Sequence, residues 1–210
     1  TWQAAEMGYS PLNYDLPASF ADFIISSFAE KIADKYEQVI WGGVNGNAGE
    51  FDGFCPLLLA DGGVDVAATP VTAANCIAEL QKVTAAIPAS IYNSEDLHIY
   101  VGSAIYRFYV QALGVVGAGS GIENKGTLWF NGTPLTVDGV KIFYSPGMPA
   151  NSMVASTVDN LFFGCGLKSD FNEIRLIDMA DIDGSQNVRF IQRWKAGIQY
   201  GIRQDIILYQ

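Results

Sequence analysis

The longest hydrophobic pattern in the chain runs from Ser19 to Trp41, S-F-A-D-F-I-I-S-S-F-A-E-K-I-A-D-K-Y-E-Q-V-I-W. Phe20, Phe23, Ile24, Phe28, Ile32, Tyr36, Val39 and Ile40 recur at spacings of three and four, while Asp22, Glu30, Lys31, Asp34 and Glu37 fall mostly off that stripe. The spacing predicts one amphipathic helix, opened by Pro17 and Ser19 and stopped by Gly42-Gly43. A helix of this length spans on the order of 30 Å, the width of a small domain. Ile77, Leu80, Val83 and Ile87 repeat the helical spacing between Thr72, which reads as an N-cap, and Pro88, which ends the pattern. L97-H-I-Y-V101 reads as a buried strand, followed by a short helix from Ser103 to Leu113.

Past Leu113 the pattern changes to strands and turns. The run from Thr127 to Ser145 is rich in β-formers, with turn signals at Asn131-Gly132 and Asp138-Gly139. V158-D-N-L-F-F-G164 and E173-I-R-L-I177 read as strands, and Val188 to Tyr209 reads as two strands joined at or near Gly201. Helices and strands mix without regular βαβ repeats, so the expected class is α+β.

Two glycine-rich stretches interrupt these elements, G42-G-V-N-G-N-A-G-E-F-D-G-F54 and G114-V-V-G-A-G-S-G-I-E-N-K-G126. The second invites a phosphate-cradle reading, which the spacing rejects. Counting from Gly117, Gly119 fits the third position of a dinucleotide motif, but the sixth is Ile122; Lys125-Gly126-Thr127 reverses the order a phosphate loop needs. A helix precedes this stretch and a strand follows it, the opposite of the context in which a helix N-terminus meets a phosphate. The stretch is expected to be a mobile surface loop.

No local motif assembles a catalytic or metal site. His98, the single histidine, lies in an apolar context with no nucleophile or orienting acid nominated beside it. Asp178, Asp181 and Asp183 stand at positions one, four and six, which misses the calcium-loop spacing of one, three, five and twelve, so a solvated acidic turn is expected. Asp61-Gly-Gly-Val-Asp65 carries no recognisable site, and no serine lies in a G-x-S-x-G elbow. No cofactor is implied.

Composition narrows the class further. At 210 residues the chain is large enough for one large or two small domains, and 50% hydrophobic residues argue for a substantial core. Twelve Lys and Arg, in no run, against a net charge of −10 argue against a nucleic-acid-binding surface. The apolar runs L57-L-L-A60 and D205-I-I-L-Y209 are far shorter than the roughly 20 residues of a membrane span. Cys55, Cys76 and Cys165 lie far apart with no CxxC pair, so all three are expected to be reduced, buried thiols. The chain opens without an initiator Met at T1-W-Q-A-A-E-M-G8 and shows no signal peptide, consistent with a piece of a longer precursor.

Read in order, F20-A-D-F-I-I-S-S-F-A-E-K-I-A-D-K-Y-E-Q-V-I-W-G-G43, the glycine-rich loop to Phe54, L128-W-F-N-G-T-P-L-T-V137, P146-G-M-P149 and the segment from Arg189 to Tyr209 resemble the major capsid proteins of tailed bacteriophages with the Hong Kong phage-type coat fold. The resemblance covers nearly the whole chain, with Glu37 in the turn that ends the family's spine helix; the N-terminal arm and the extended loop that precede that helix are missing here. It implies a peripheral domain from 1–66 and 186–203, with the spine helix at 19–41, and an axial domain from 67–185 and 204–210. It further implies a non-enzymatic structural protein of the virion, made in the cytoplasm of a bacterial host. Its copies would associate as hexamers and pentamers of an icosahedral head around the DNA genome. Scaffold, portal or decoration proteins are the further partners, with no sequence-specific nucleic-acid binding and no membrane. Gly117, Gly119, Gly121, Asn124 and Lys125 would then form an assembly loop at the tip of the axial domain, its glycines allowing different conformations in five-fold and six-fold rings. An encapsulin-like nanocompartment shell is the alternative with the same fold, and a small-molecule hydrolase using His98 or Asp178, or a ligand-binding protein, is the alternative outside it.

Overall fold

The long apolar stripe forms helix α1, Phe20–Gly42, within one residue of the sequence expectation at each end. The computed structural model describes residues 20–119, 135–166, 173–178, 188–193 and 195–210. Among the described side chains of α1, Val39 and Trp41 are buried whereas Phe28 is 44% exposed, so the deepest of them lie at the C-terminal end. After the glycine-rich loop comes helix α2, Phe54–Gly62, which buries Phe54, Cys55 and Leu58. The sequence reading missed it, because its nine residues are apolar nearly all round and carry no helical period.

Helix α3, Cys76–Ala86, begins later than Thr72. Residues 72–75 form a turn instead: Asn75 Oδ1 accepts hydrogen bonds from Thr72 N (2.6 Å) and Thr72 Oγ1 (3.1 Å), and Thr72 O takes the N–H of Cys76 at 2.9 Å. The helix stops at Ile87, whose extended backbone is what the following Pro88 requires. Strand β1, Leu97–Val101, matches its expectation. Helix α4 runs from Ser103 to Gly119, six residues beyond Leu113, so Gly114, Gly117 and Gly119 belong to the helix.

Strands β2, Thr136–Val137, and β3, Val140–Tyr144, form a hairpin on Asp138-Gly139. Both turn residues have positive φ (48° and 85°), the type I′ geometry that an Asp-Gly pair accommodates. Strand β4 is Met153–Thr157, and β5, Leu161–Cys165, follows a 3₁₀ turn at Val158–Asn160 that shortens the expected strand. Strands β6, Glu173–Asp178, and β7, Val188–Arg193, pair antiparallel. The C-terminal segment holds three strands where two were expected: β7, then β8, Ala196–Tyr200, and after a 3₁₀ turn at Arg203–Asp205, β9, Ile207–Tyr209. The class is α+β, as expected.

The central sheet has the order β2-β3-β1-β4-β9, with β1 and β3 parallel and the remaining pairs antiparallel. Alternation along its strands divides the interior in two. Leu97, Ile99, Val101, Met153, Ala155, Ile207 and Tyr209 face one cluster with Leu80 and Val83 of α3 and Ile105 and Tyr109 of α4. Val154 and Leu208 face the other, with Trp41 of α1, Phe54, Cys55 and Leu58 of α2, and Met148. Tyr100 packs against that second cluster, as do Leu161, Ile198 and Tyr200 of the β5–β8 ribbon.

Candidate functional site

The groups that chemistry would need are apart. His98 is half-buried on β1, its Nδ1 lies 2.8 Å from the backbone oxygen of Asp96, and its neighbouring rings are Tyr100 and Phe143. Asp178 ends β6 opposite Val188, and Asp181 and Asp183 lie outside the described residues. Among the described residues no group of three or more His, Cys, Asp or Glu is placed to hold a metal ion, and no helix is long and apolar enough to cross a membrane. Of the assembly-loop candidates, Gly117 and Gly119 belong to α4, while Gly121, Asn124 and Lys125 lie outside the described residues, as does the Asn131-Gly132 turn.

A cleft of about 540 Å³ opens between the end of α3 and the β2–β3 turn, lined by Gln81, Thr84, Tyr92, Asn93 and Asp138. Two of its hydroxyls bond to Asp138. Thr84 Oγ1 donates to Asp138 Oδ2 (2.9 Å), and Tyr92 Oη donates to Asp138 O (2.8 Å). Burial and the neighbouring Cys76 and Asp138 push the Tyr109 hydroxyl up to about 12, so it remains a proton donor to Thr136 O. These contacts hold the hairpin to the helices.

Among the described residues, the glycine set closest to another backbone lies in the loop between β3 and β4, Ser145 to Ser152, where it meets the last turns of α1. Ser145 Oγ donates to Glu37 Oε1 at 2.6 Å, and a Cβ placed on Gly147 would stand 2.2 Å from the carbonyl carbon and oxygen of Glu37. Only glycine permits that approach of backbone to backbone. The glycine-rich loop after α1 is tied down separately. The Glu50 carboxylate accepts from Lys35 Nζ (2.6 Å), Asn47 Nδ2 (2.9 Å) and Val44 N (3.3 Å), and these bonds hold its pKa down to about 2. Asp52 Oδ1 takes the N–H of Asn45 at 2.8 Å.

Three carboxylates that carried no sequence signal prove structural. Asp65 Oδ2 accepts from Arg203 Nη2 (3.0 Å) and from Leu208 N (2.8 Å), fixing β9 to the segment after α2. Asp61 accepts from Tyr200 Oη, and Glu79 Oε2, buried in α3, accepts from Tyr209 Oη at 2.8 Å. Their partners lie 130 to 143 residues away, which no local pattern encodes. Cys55 and Cys76 are buried, and Cys165 is exposed. The expectation of three buried thiols fails at Cys165 because β5 belongs to a two-stranded ribbon whose outer end stands clear of both cores.

The surface is more distinctive than the interior. Phe143, Phe162, Phe163 and Ile202 are each more than half exposed. Phe143 ends an aromatic row that climbs from the second core through Trp41 and Tyr100, with ring centroids 5.1 and 5.6 Å apart. Large exposed rings of this kind mark contact surfaces more often than pockets do.

The sequence matches no family model and no curated protein. Solved structures do match. A chain of the satellite phage P4 procapsid, in a structure that includes the size determination (Sid) protein, is similar over 92% of this chain with a TM-score of 0.61 at 10% identity. A chain of Mycobacterium phage Che8 is similar over 93% with a TM-score of 0.57 at 11% identity. A chain of a virus-like particle from Pyrococcus furiosus is similar over 86% with a TM-score of 0.50 at 12% identity. This chain spans 64% of each of those three chains. At such identities the likeness is one of fold, and the fold is that of a chain from a phage procapsid.

Proposed function

We propose that the chain is a major capsid protein of the Hong Kong phage type, whose copies build an icosahedral phage head around DNA. The observation that carries this reading is the fold likeness to a P4 procapsid chain over 92% of the residues. Helix α1 is then the spine helix. The peripheral domain comprises 1–66 and 186–203, and the axial domain 67–185 and 204–210. Hexamers and pentamers form through repeated contacts between copies, and the exposed rings of Phe143, Phe162 and Phe163 supply apolar area for them. Gly117, Gly119, Gly121, Asn124 and Lys125 lie near the capsomer axis, and scaffold, portal or decoration proteins dock on the assembled lattice. The net charge of −10 suits an inner wall that leaves packaged DNA unattached. The protein works by association, without turnover or cofactor, in the virion after synthesis in a bacterial cytoplasm.

A shell that encloses a cargo protein is the second reading, favoured by the likeness to the virus-like particle chain from Pyrococcus furiosus. Electron microscopy of the full-length protein, expressed with and without its scaffold, tests both. Closed particles or capsomers are expected. Persistent monomers under both conditions would overturn the proposal, and co-purified protein cargo in place of DNA would select the second reading.

A further inference from the structure

The loop between α1 and α2 carries an asparagine whose amide is unspent. Two turns build its outer part. Asn47 N donates to Val44 O at 3.2 Å, with Gly46 at φ 117°, and Glu50 N donates to Asn47 O at 3.2 Å, with Gly49 at φ 78°. Asn45 itself has no positive φ. A positive φ at the third residue alone is the type II signature, which sets ψ of the second residue, here Asn45, at about +120°. The turns are anchored from within. Asn45 N donates to Asp52 Oδ1 (2.8 Å), the Glu50 carboxylate gathers Val44 N, Asn47 Nδ2 and Lys35 Nζ, and Gly53 N donates to Gly43 O at 2.8 Å, which closes the loop on itself. Among the described residues the Asn45 side-chain amide has no hydrogen-bond partner, and Asn45 and Gly46 are both exposed. Gly46 puts no side chain over the peptide between them, and even a Cβ there would meet nothing within 4 Å.

An asparagine followed by glycine is open to attack by its own backbone. The Gly46 nitrogen, giving up its proton to water, adds to Asn45 Cγ; the Cγ–Nδ2 bond then breaks, and the nitrogen leaves as ammonia after taking a proton from water. Water opens the resulting five-membered succinimide at either carbonyl and leaves aspartate or isoaspartate at position 45. No oxidant or cofactor enters. Ring closure needs the Gly46 nitrogen eclipsed with Asn45 Cβ, which the handedness of an L-residue places at negative ψ. The type II turn holds ψ at the opposite sign, so the closed loop keeps the nucleophile away from Cγ. Reaching the productive angle breaks the Val44–Asn47 turn. The product carries a new carboxylate close to Asp52, and like charges there oppose reclosure.

We propose that Asn45-Gly46 is a deamidation site gated by its own loop: closed, the turn protects Asn45, and each opening exposes it to a step that does not reverse. The site belongs to the chain whether or not the chain builds a shell. Peptide mass spectrometry after incubation of the full chain in neutral buffer measures conversion at Asn45, in native and in urea-unfolded protein. Native Asn45 is expected to convert at least about tenfold more slowly than in the unfolded chain. Unfolded, it is expected to match Asn131, the asparagine of the chain's other Asn-Gly pair. Glu50→Gln removes the charge that gathers Lys35, Asn47 and Val44, and is expected to speed native conversion about tenfold. Lys35→Ala, exposed on α1 and outside the loop, is expected to speed it about threefold, with thermal melts showing that the fold is intact. Asn45→Gln, whose extra methylene disfavours the ring, is expected to stay unconverted. Native conversion as fast as in the unfolded chain overturns the protection. A native rate unchanged in both anchor variants overturns the gate, and no conversion at Asn45 in the unfolded chain overturns the site.

Discussion

Ser145 Oγ and Glu37 Oε1 lie 2.6 Å apart across 108 residues of sequence, and their hydrogen bond marks where the β3–β4 loop locks onto the end of helix α1. Gly147, two residues on, lies against the backbone of the same turn. Gly147→Ala is expected to destabilise the fold by about 2–4 kcal/mol, because the new methyl group meets backbone atoms that cannot rotate away. Ser145→Ala removes only the hydroxyl and is expected to cost about 1–2 kcal/mol. Urea unfolding of both variants checks the order; equal losses would place the constraint in the hydrogen bond and not in the close approach.

Glu79 couples α3 to the last strand. Burial pushes its carboxyl up, but hydrogen bonds from Lys82, Thr69 and Tyr209 outweigh burial and hold its pKa below the ordinary 4.5. A carboxyl with a lowered folded pKa stabilises the fold above its unfolded pKa, and that contribution is lost as pH falls through the folded value. The stability gap between the parent and Glu79→Gln is therefore expected to be wider at pH 7 than at pH 3. Tyr209→Phe, which removes the hydroxyl bonded to Glu79 at 2.8 Å, is expected to cost about 1–2 kcal/mol at pH 7.

Glu50 predicts a lower acid transition for the loop after α1. Its pKa, held down to about 2 from 4.5 by Lys35, Asn47 and the Val44 N–H, lies below its unfolded value, so its contribution is complete above the ordinary carboxyl range and fades towards pH 2. Glu50→Gln is expected to lower the melting temperature at pH 6 and to change it little near pH 2. Hydrogen exchange of the Val44 amide, faster in the variant at pH 6 only, provides a local check.

The cysteines predict a labelling pattern. Burial raises the Cys55 thiol to about 12 and the Cys76 thiol to about 11, and Cys165 is exposed. One thiol per chain is expected to react with a maleimide in the native isolated protein, and three after denaturation. Native reaction of more than one thiol would contradict the packing of α2 or α3.

Sequence periodicity located α1 because a long one-sided stripe has no other regular solution, and Asp138-Gly139 located the hairpin because both residues take positive φ. Helix α2 escaped because L57-L-L-A60 is apolar on every side and offers no period to detect. The extension of α4 through Gly119 escaped because glycine is a poor helix former by propensity, a weak prior that tertiary context overrides. Asp61, Asp65 and Glu79 could not be recognised as structural, since their partners on β8, the Arg203 turn and β9 come together only when the sheet closes.

The seating of α1 at its C-terminal end has a mechanical consequence. From Glu37 back to Phe20 the helix extends roughly 25 Å, by its rise of about 1.5 Å per residue. A tilt of about 10° around the Glu37–Gly147 fulcrum would carry the Phe20 end through roughly 4 Å on that arm. The load would fall on the β3–β4 connection, which joins two strands flanking β1, so a small rotation at one end of this lever would reach the middle of the sheet directly.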